Sequence, residues 1–582
     1  MDFLVSAIRE TVHRGSDDLL SAGLGLAGLR GAAPRFADAT APTAQELRRR
    51  ALHANWTGIA DLGPLGGYGN VYGAVPDVPG REYQAFARLP GVRQPHRVLA
   101  QIPDHFDAAA RCLVVTVSSG SRGVYGAIAV AGAWGLPRGC AVAYTDKGAG
   151  TGYFDAASGT GVRLDGTRAS AGSAELEFVP DIQTAEGIAI KHAHSGDNPE
   201  ADWGRHLLQA AQFGLAMLDR ALPQLAPFTP HNTRIIAAGL SNGAAAVLQA
   251  AGLDADGWLD AAVAVAPNVN VPGHGRALYD YATEAGLLLP CALAAARFDA
   301  VPFARVQGAV PAGWLARAEL LHEAGALDGT DGGARADAAR QRLHAGGWSD
   351  AAMATAATTT AFELWRAFAV TYASAYMRSA FGRMPGAFRF VARDAQGRPC
   401  APPPAERAAW WCDAAGIPPN AGVFIDEPAA LQAPPGDPTL PGQQRLRDLW
   451  TNGNVESVRL RASVAAAAVA LPRAELPVFV VHGVEDGLIP AAFASDAYVT
   501  WLRANGRAPR YWPIAHAQHF DAFLALPGFG ERYVPLLPYA YAALDRVWAH
   551  VIDGAPLSDA PAPVPRPRGP GAVQKSALGL PG

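Results

Sequence analysis

Gly239-Leu240-Ser241-Asn242-Gly243 sets a serine between two glycines, after an apolar run at 235–238 and before an Ala-rich stretch at 244–251. Strand, Gly-pinched corner and helix in that order hold a serine in a strained conformation with its hydroxyl exposed above a sheet. A hydroxyl is a poor nucleophile near neutral pH, so Ser241 needs an imidazole to take its proton and a carboxylate to fix the imidazole tautomer. Both should follow the serine, acid before base, on loops leaving strand ends. The apolar run 476–481 empties into His482-Gly483-Val484-Glu485-Asp486-Gly487, which makes Asp486 the expected acid, with Glu485 as rival. As an Asp-Gly pair, Asp486 also fits an ordinary turn. A second strand-like segment, 509–514, delivers Ala515-His516-Ala517-Gln518-His519, so His519 is the expected base and His516 its rival. A tetrahedral intermediate also needs N–H donors. Asn242, directly after the serine, supplies one; Ser119, Gly120 and Ser121, in the small-residue loop after the apolar run 112–117, are candidates for the other.

Those loops need a scaffold. From about 95 to 272 strand-like segments (96–102, 112–117, 140–144, 258–271) alternate with helical patterns (125–134, 201–222), which predicts an α/β fold with a mostly parallel sheet covered on both faces. Between 273 and 473 the pattern changes to Ala-rich helices carrying Trp314, Trp348, Trp365, Trp410 and Trp411, with a Pro-dense stretch at 402–441. A mainly helical insertion there separates the serine half from the Asp/His half and is expected to lie over the strand ends as a lid. A structural cap that never meets substrate is the alternative, since tryptophans at helical spacing also build cores. The reading therefore divides the chain into 1–272, first core part; 273–473, lid; 474–553, second core part; and 554–582, a Pro-rich tail expected to be disordered.

With 582 residues, half of them apolar, and a net charge of −4, the chain can bury a large core and offers no basic stripe for nucleic acid or an anionic membrane. A small-molecule ester substrate is expected, with oligomeric state left open. No window is long and apolar enough to predict a spanning helix. The first ten residues lack a basic start followed by an apolar run, so no signal peptide is expected and a cytoplasmic location is favoured. Cys112, Cys140, Cys291, Cys400 and Cys412 show no zinc spacing, and whether Cys400 and Cys412 pair is open. His192-x-His194 lacks a recognisable third ligand, and the Gly-rich 145–152 fits no phosphate-binding fingerprint, so neither metal nor cofactor is expected.

Five blocks carry a resemblance: 118–126 (SSGSRGVYG), 141–148 (AVAYTDKG), 191–203, 481–490 and 518–523 (QHFDAF). Together they resemble the bacterial (R)-3-hydroxybutyrate oligomer hydrolases, over about 17–551. The resemblance implies a serine esterase of α/β-hydrolase type that cleaves short 3-hydroxybutyrate oligomers to monomer during polyhydroxybutyrate breakdown, with the family serine at Ser241. Members of that family commonly carry a secretion signal, which keeps an extracellular location as the alternative, and Ala244 stands where another glycine is expected. Tannase-like and feruloyl esterases place cysteines beside the serine and histidine, where this chain has Leu240 and Gln518. A general carboxylesterase or aromatic-ester hydrolase is thus the second reading, and a hydrolase-like binding protein without catalysis the third. On the first reading, Arg122 or Lys147 holds the substrate's terminal carboxylate, because both sit on loops leaving strand ends.

Overall fold

The computed structural model describes residues 1–181, 186–413, 419, 422–559 and 561–580. Its centre is a nine-stranded sheet made of β1 (Arg9–His13), β2 (Gly80–Ala87), β3 (His96–Pro103), β4 (Cys112–Val117), β5 (Ala141–Asp146), β6 (Arg234–Leu240), β7 (Ala261–Val265), β8 (Val478–Gly483) and β9 (Arg510–Ile514), in the order β1-β2-β3-β5-β4-β6-β7-β8-β9. From β5 to β9 every pairing is parallel, whereas β1/β2, β2/β3 and β3/β5 are antiparallel. This is the mostly parallel, α/β-hydrolase-type sheet that the alternating pattern implies. The central strands β4, β6 and β7 are mostly apolar and buried, with only Arg234 at the start of β6 exposed, as a sheet covered on both faces requires.

Helices α1 (Ala44–Thr57), α2 (Pro199–Ala221) and α3 (Asn242–Leu253) belong to the first part of the chain. Thr43 and Glu46 close a capping box at the start of α1. Between β7 and β8 lie α4 (Leu278–Ala292), α5 (Ala312–Glu323), α6 (Gly332–Ala345), α7 (Asp350–Ala361), α8 (Leu364–Met377), α9 (Leu440–Thr451) and α10 (Val455–Ala465), with a small antiparallel sheet of residues Arg389–Arg393, Pro399–Cys400 and Phe424–Asp426. Trp348, Trp365, Trp410 and Trp411 are buried here, Trp348 and Trp365 edge to face at 5.9 Å. Two further helices, α11 (Ser495–Ala504) and α12 (Leu537–Val551), flank β9.

Two segments depart from expectation. The helical pattern read at 125–134 is shorter and wider-wound, a π-helical turn at Ile128–Gly132 running into Ala133–Gly135. The Pro-rich C-terminal stretch is not free over its described residues. Val573 and Leu578 are buried, the Val573 amide donates to the Leu65 carbonyl at 2.9 Å, and the Tyr539 hydroxyl donates to the Leu578 carbonyl at 2.8 Å. A few apolar anchors suffice to dock a chain that prolines have already stiffened. All five cysteines are free thiols, Cys400 exposed and the others buried.

Candidate active site

Ser241 forms the corner between β6 and α3, with φ +60° and ψ −125°. A non-glycine residue holds such a conformation only where its surroundings enforce it. They do: the Ser241 amide donates to the Val265 carbonyl at 2.9 Å, and its carbonyl accepts from Ala245 at 3.1 Å and Asn268 at 3.2 Å. Both flanking glycines are demanded by close backbone approach. A Cβ at 239 would lie 2.7 Å from the Gly243 carbonyl, and one at 243 would lie 2.5 Å from the Val117 carbonyl.

Asp486 and His519 arrive from the ends of β8 and β9. His519 Nε2 lies 2.8 Å from Ser241 Oγ, and His519 Nδ1 lies 2.6 Å from Asp486 Oδ2. The other carboxylate oxygen accepts the Leu488 and Ile489 amides, each at 2.8 Å. All three side chains are buried, Ser241 only 3% exposed. Burial alone would raise the Asp486 pKa, but the charge of His519 and hydrogen bonds from His482 and His519 outweigh it and hold the carboxyl well below its usual range. Asp486 is therefore a carboxylate at any working pH, fit to orient an imidazole and steady its protonated form. The rivals lie elsewhere and face each other, His516 Nδ1 and Glu485 Oε1 being 3.3 Å apart.

A cavity of about 60 Å³ opens over Ser241. Its walls are Leu488, Ile489, Phe520 and Phe523 from the acid and base loops, and Leu278, Leu364 and Phe368 from α4 and α8. Gly58, Gly120, Arg122 and Asn242 complete it. Asn242 is the first residue of α3, where an amide has no partner within the helix. Gly120 adopts φ +52° and reaches the cavity wall, whereas the neighbouring Ser119 and Ser121 are buried and do not line it. Backbone N–H donors at such a cavity wall are the kind of group that stabilises a developing oxyanion, and Asn242 and Gly120 are the two expected donors that line it.

Arg122 and Lys147 part company. Arg122 lines the cavity, donates to the Ala54 and Gly58 carbonyls at 3.2 and 3.0 Å, and is pushed down by burial to about 10, still a cation at neutral pH. Lys147 does not reach the cavity. Its ammonium pairs with Glu200 and lies 3.2 Å from the Tyr372 hydroxyl of α8, which in turn accepts from the Asn242 side chain. Lys147 holds the buried Glu200 down at about 2 against the opposing effect of desolvation, so the charge offered to a substrate is already taken by an internal partner. His192 also bonds Glu200, at 2.7 Å, while His194 packs edge-on to Phe381 and Phe390.

Sequence reasoning passed over His482, Tyr372 and the apolar walls. For His482 a signal existed, since it stands four residues before the acid at the end of the same strand. The wall residues of α4 and α8 carry none, because an apolar residue facing a cavity reads the same as one facing a core.

The family described as 3HB-oligomer hydrolase matches residues 2–579. The chain is 38% identical to the D-(-)-3-hydroxybutyrate oligomer hydrolase of Burkholderia thailandensis over 639 residues, 98% of this chain and 90% of that protein. It is equally 38% identical over 645 residues to the Burkholderia vietnamiensis protein of the same name, with the same coverage of both. Among solved structures it is similar to the rice cell wall degrading esterase LipA from Xanthomonas oryzae (TM-score 0.38, 10% identity, 82% of this chain and 92% of that one). It is also similar to feruloyl esterase B from Aspergillus oryzae (TM-score 0.35, 11% identity, 83% of each).

Proposed function

The chain belongs to the 3HB-oligomer hydrolase family, and from that premise we propose that it hydrolyses the ester bonds of short (R)-3-hydroxybutyrate oligomers through Ser241, His519 and Asp486. The observation that carries the residue roles is the unbroken line of contacts from Ser241 Oγ to His519 to Asp486, at 2.8 and 2.6 Å, under a small apolar cavity. Ser241 Oγ attacks the ester carbonyl as His519 Nε2 takes its proton. The carbonyl oxygen becomes an oxyanion held by the Asn242 and Gly120 amides. Collapse breaks the C–O ester bond, and His519 returns the proton to the departing hydroxyl of the next unit. Water then repeats the sequence on the acyl-enzyme, releasing 3-hydroxybutyrate and restoring Ser241.

Arg122 brings positive charge to an otherwise apolar wall and is the group we assign to the terminal carboxylate of the departing unit. Residues 273–473 act as the lid in this reading, since Leu278, Leu364 and Phe368 roof a serine that is 3% exposed. The test is release of 3-hydroxybutyrate from the (R)-dimer and trimer by wild type and by Ser241→Ala. Removing a triad member should lower turnover by about 10⁴ or more. A variant as active as wild type would discard Ser241, and a wild type inert on both substrates would discard the substrate class.

A further inference from the structure

The acid of this site has two imidazoles on one oxygen. Besides His519, the fully buried His482 places Nε2 3.2 Å from Asp486 Oδ2. The same nitrogen lies 2.9 Å from the Ile489 carbonyl, and the far one, Nδ1, lies 2.5 Å from the Ser495 hydroxyl at the start of α11. Both neighbours of Nε2 are acceptors, a carbonyl and a carboxylate, so that nitrogen carries the proton. The Ser495 hydroxyl holds Nδ1, which leaves the Nε2–H directed at the Ile489 carbonyl with Asp486 Oδ2 beside it. Asp486 thus accepts from the Leu488 and Ile489 amides and meets His519, while His482 Nε2 stands 3.2 Å from its Oδ2.

We propose that His482 is a positioning residue for the acid: it takes up part of the Asp486 charge and pins Oδ2 so that the carboxylate meets His519 at one angle and with moderated strength. The inference rests on the triad reading above. A carboxylate relieved of that second donor would bind the His519 imidazolium more tightly, because less of its charge is compensated. Proton return to the leaving group would become harder, and the acidic limb of the rate profile would move to higher pH. Other groups face the pair. Tyr281 of α4 has its hydroxyl pushed well up by burial and then by the Asp486 charge. Glu485 and His516 pair with each other, Asp521 is held by the Leu536 and Leu537 amides, and Arg122 lies across the cavity. Among the described residues only His482 and His519 bring a basic nitrogen within 4 Å of Asp486.

Two substitutions separate positioning from packing. Asn in place of His482 keeps a polar atom near the Nδ1 position, toward Ser495, but cannot reach Asp486; Gln extends to the Nε2 position and restores a donor. The experiment measures kcat and KM from pH 5 to 9 for wild type, His482→Asn, His482→Gln and Ser241→Ala on a chromogenic short-chain ester. For His482→Asn the acidic limb of kcat/KM should rise by about half to one pH unit and kcat at pH 7 fall about tenfold, with KM little changed. His482→Gln should return both toward wild type. Profiles in which the limb stays fixed in both variants, whatever the loss of rate, would overturn the proposal while leaving the triad intact. Activity retained in Ser241→Ala would overturn the triad reading itself, and this proposal with it. If His482→Asn does not fold, Ser495→Ala is the second handle. That change touches neither Asp486 nor His519, removes the anchor that holds the His482 ring at Nδ1, and should still move the limb upward; a fixed limb there would overturn the proposal too.

Discussion

Gly243→Ala tests whether the two oxyanion donors are held by one contact. The added Cβ would meet the Val117 carbonyl at 2.5 Å, the Ser118 carbonyl at 3.1 Å and the Val117 carbonyl carbon at 3.3 Å. Ordinary contact needs roughly 3.4 Å or more, so the end of β4 and the start of α3 must separate by roughly 0.9 Å. No flexible side chain can yield, because the obstacle is backbone. The end of β4 leads directly to Gly120, and the start of α3 is Asn242, so the separation pulls the proposed donors apart. Losing one such donor costs about 10²–10³ in kcat, on the order of 3–4 kcal/mol of transition-state stabilisation. Overpacking itself should cost about 1–3 kcal/mol of stability. Gly252→Ala is the matched control, since its Cβ would run into the Ala470 carbonyl at the far end of the same helix. Steady-state kinetics on the soluble dimer and urea unfolding of both variants decide the matter. The expected result is comparable destabilisation in both, with kcat lost only in Gly243→Ala and KM within a few-fold. A folded Gly243→Ala with kcat within threefold of wild type, or an equal loss in Gly252→Ala, would refute the reasoning.

Arg122→Met should raise KM for the free-acid dimer about tenfold and leave its methyl ester unaffected, since only the acid presents a carboxylate; equal effects on acid and ester would mean that Arg122 serves the Gly58 turn alone. A pH effect follows from the buried stack of His96 and His206, whose rings lie 4.0 Å apart at 15°. Burial pushes His206 down to about 3, below the 6.5 of an ordinary histidine, so the unfolded chain binds the extra proton between those values. Stability is complete above about 6.5 and falls as pH drops toward 3. Between pH 7 and pH 5 this one ring should cost about 2 kcal/mol, and His206→Gln should lose that much less than wild type in urea titrations at the two pH values. Parallel losses would show that the stack does not govern acid sensitivity.

The serine was legible because everything that makes an elbow is local: strand, glycine, serine, glycine and helix fall within about twenty residues, and chain geometry allows little else. Asp486 was legible because it follows an apolar run that only a buried strand explains, and His519 because it follows the strand-like segment 509–514. Strands β1 and β2 were not. In β2 the buried positions include Glu82 and Gln84, which break any apolar pattern, and β3, though read as a strand, also buries Arg97 and Gln101. They are buried at tolerable cost because partners far along the chain satisfy them, Tyr125 donating to Glu82 at 2.6 Å and Arg97 to Glu177 at 2.6 Å. Lys147 misled for the same reason, as its partner Glu200 is 53 residues away. The tail misled because its composition hides two apolar anchors, Val573 and Leu578, among prolines.

The roof of this site and its proposed triad hang from different parts of the chain. Ser241, Asp486 and His519 follow the ends of β6, β8 and β9, whereas Leu278, Leu364 and Phe368 come from α4 and α8. A substitution at Phe368 or Leu364 can reshape what the cavity accepts without touching a hydrogen bond of the triad. Inheritance can thus diversify the two at different speeds, drift in the roof altering the length and bulk of ester taken while the reaction beneath stays constant. Laboratory selection for a new polyester fragment would accordingly find its first productive changes in α4 and α8.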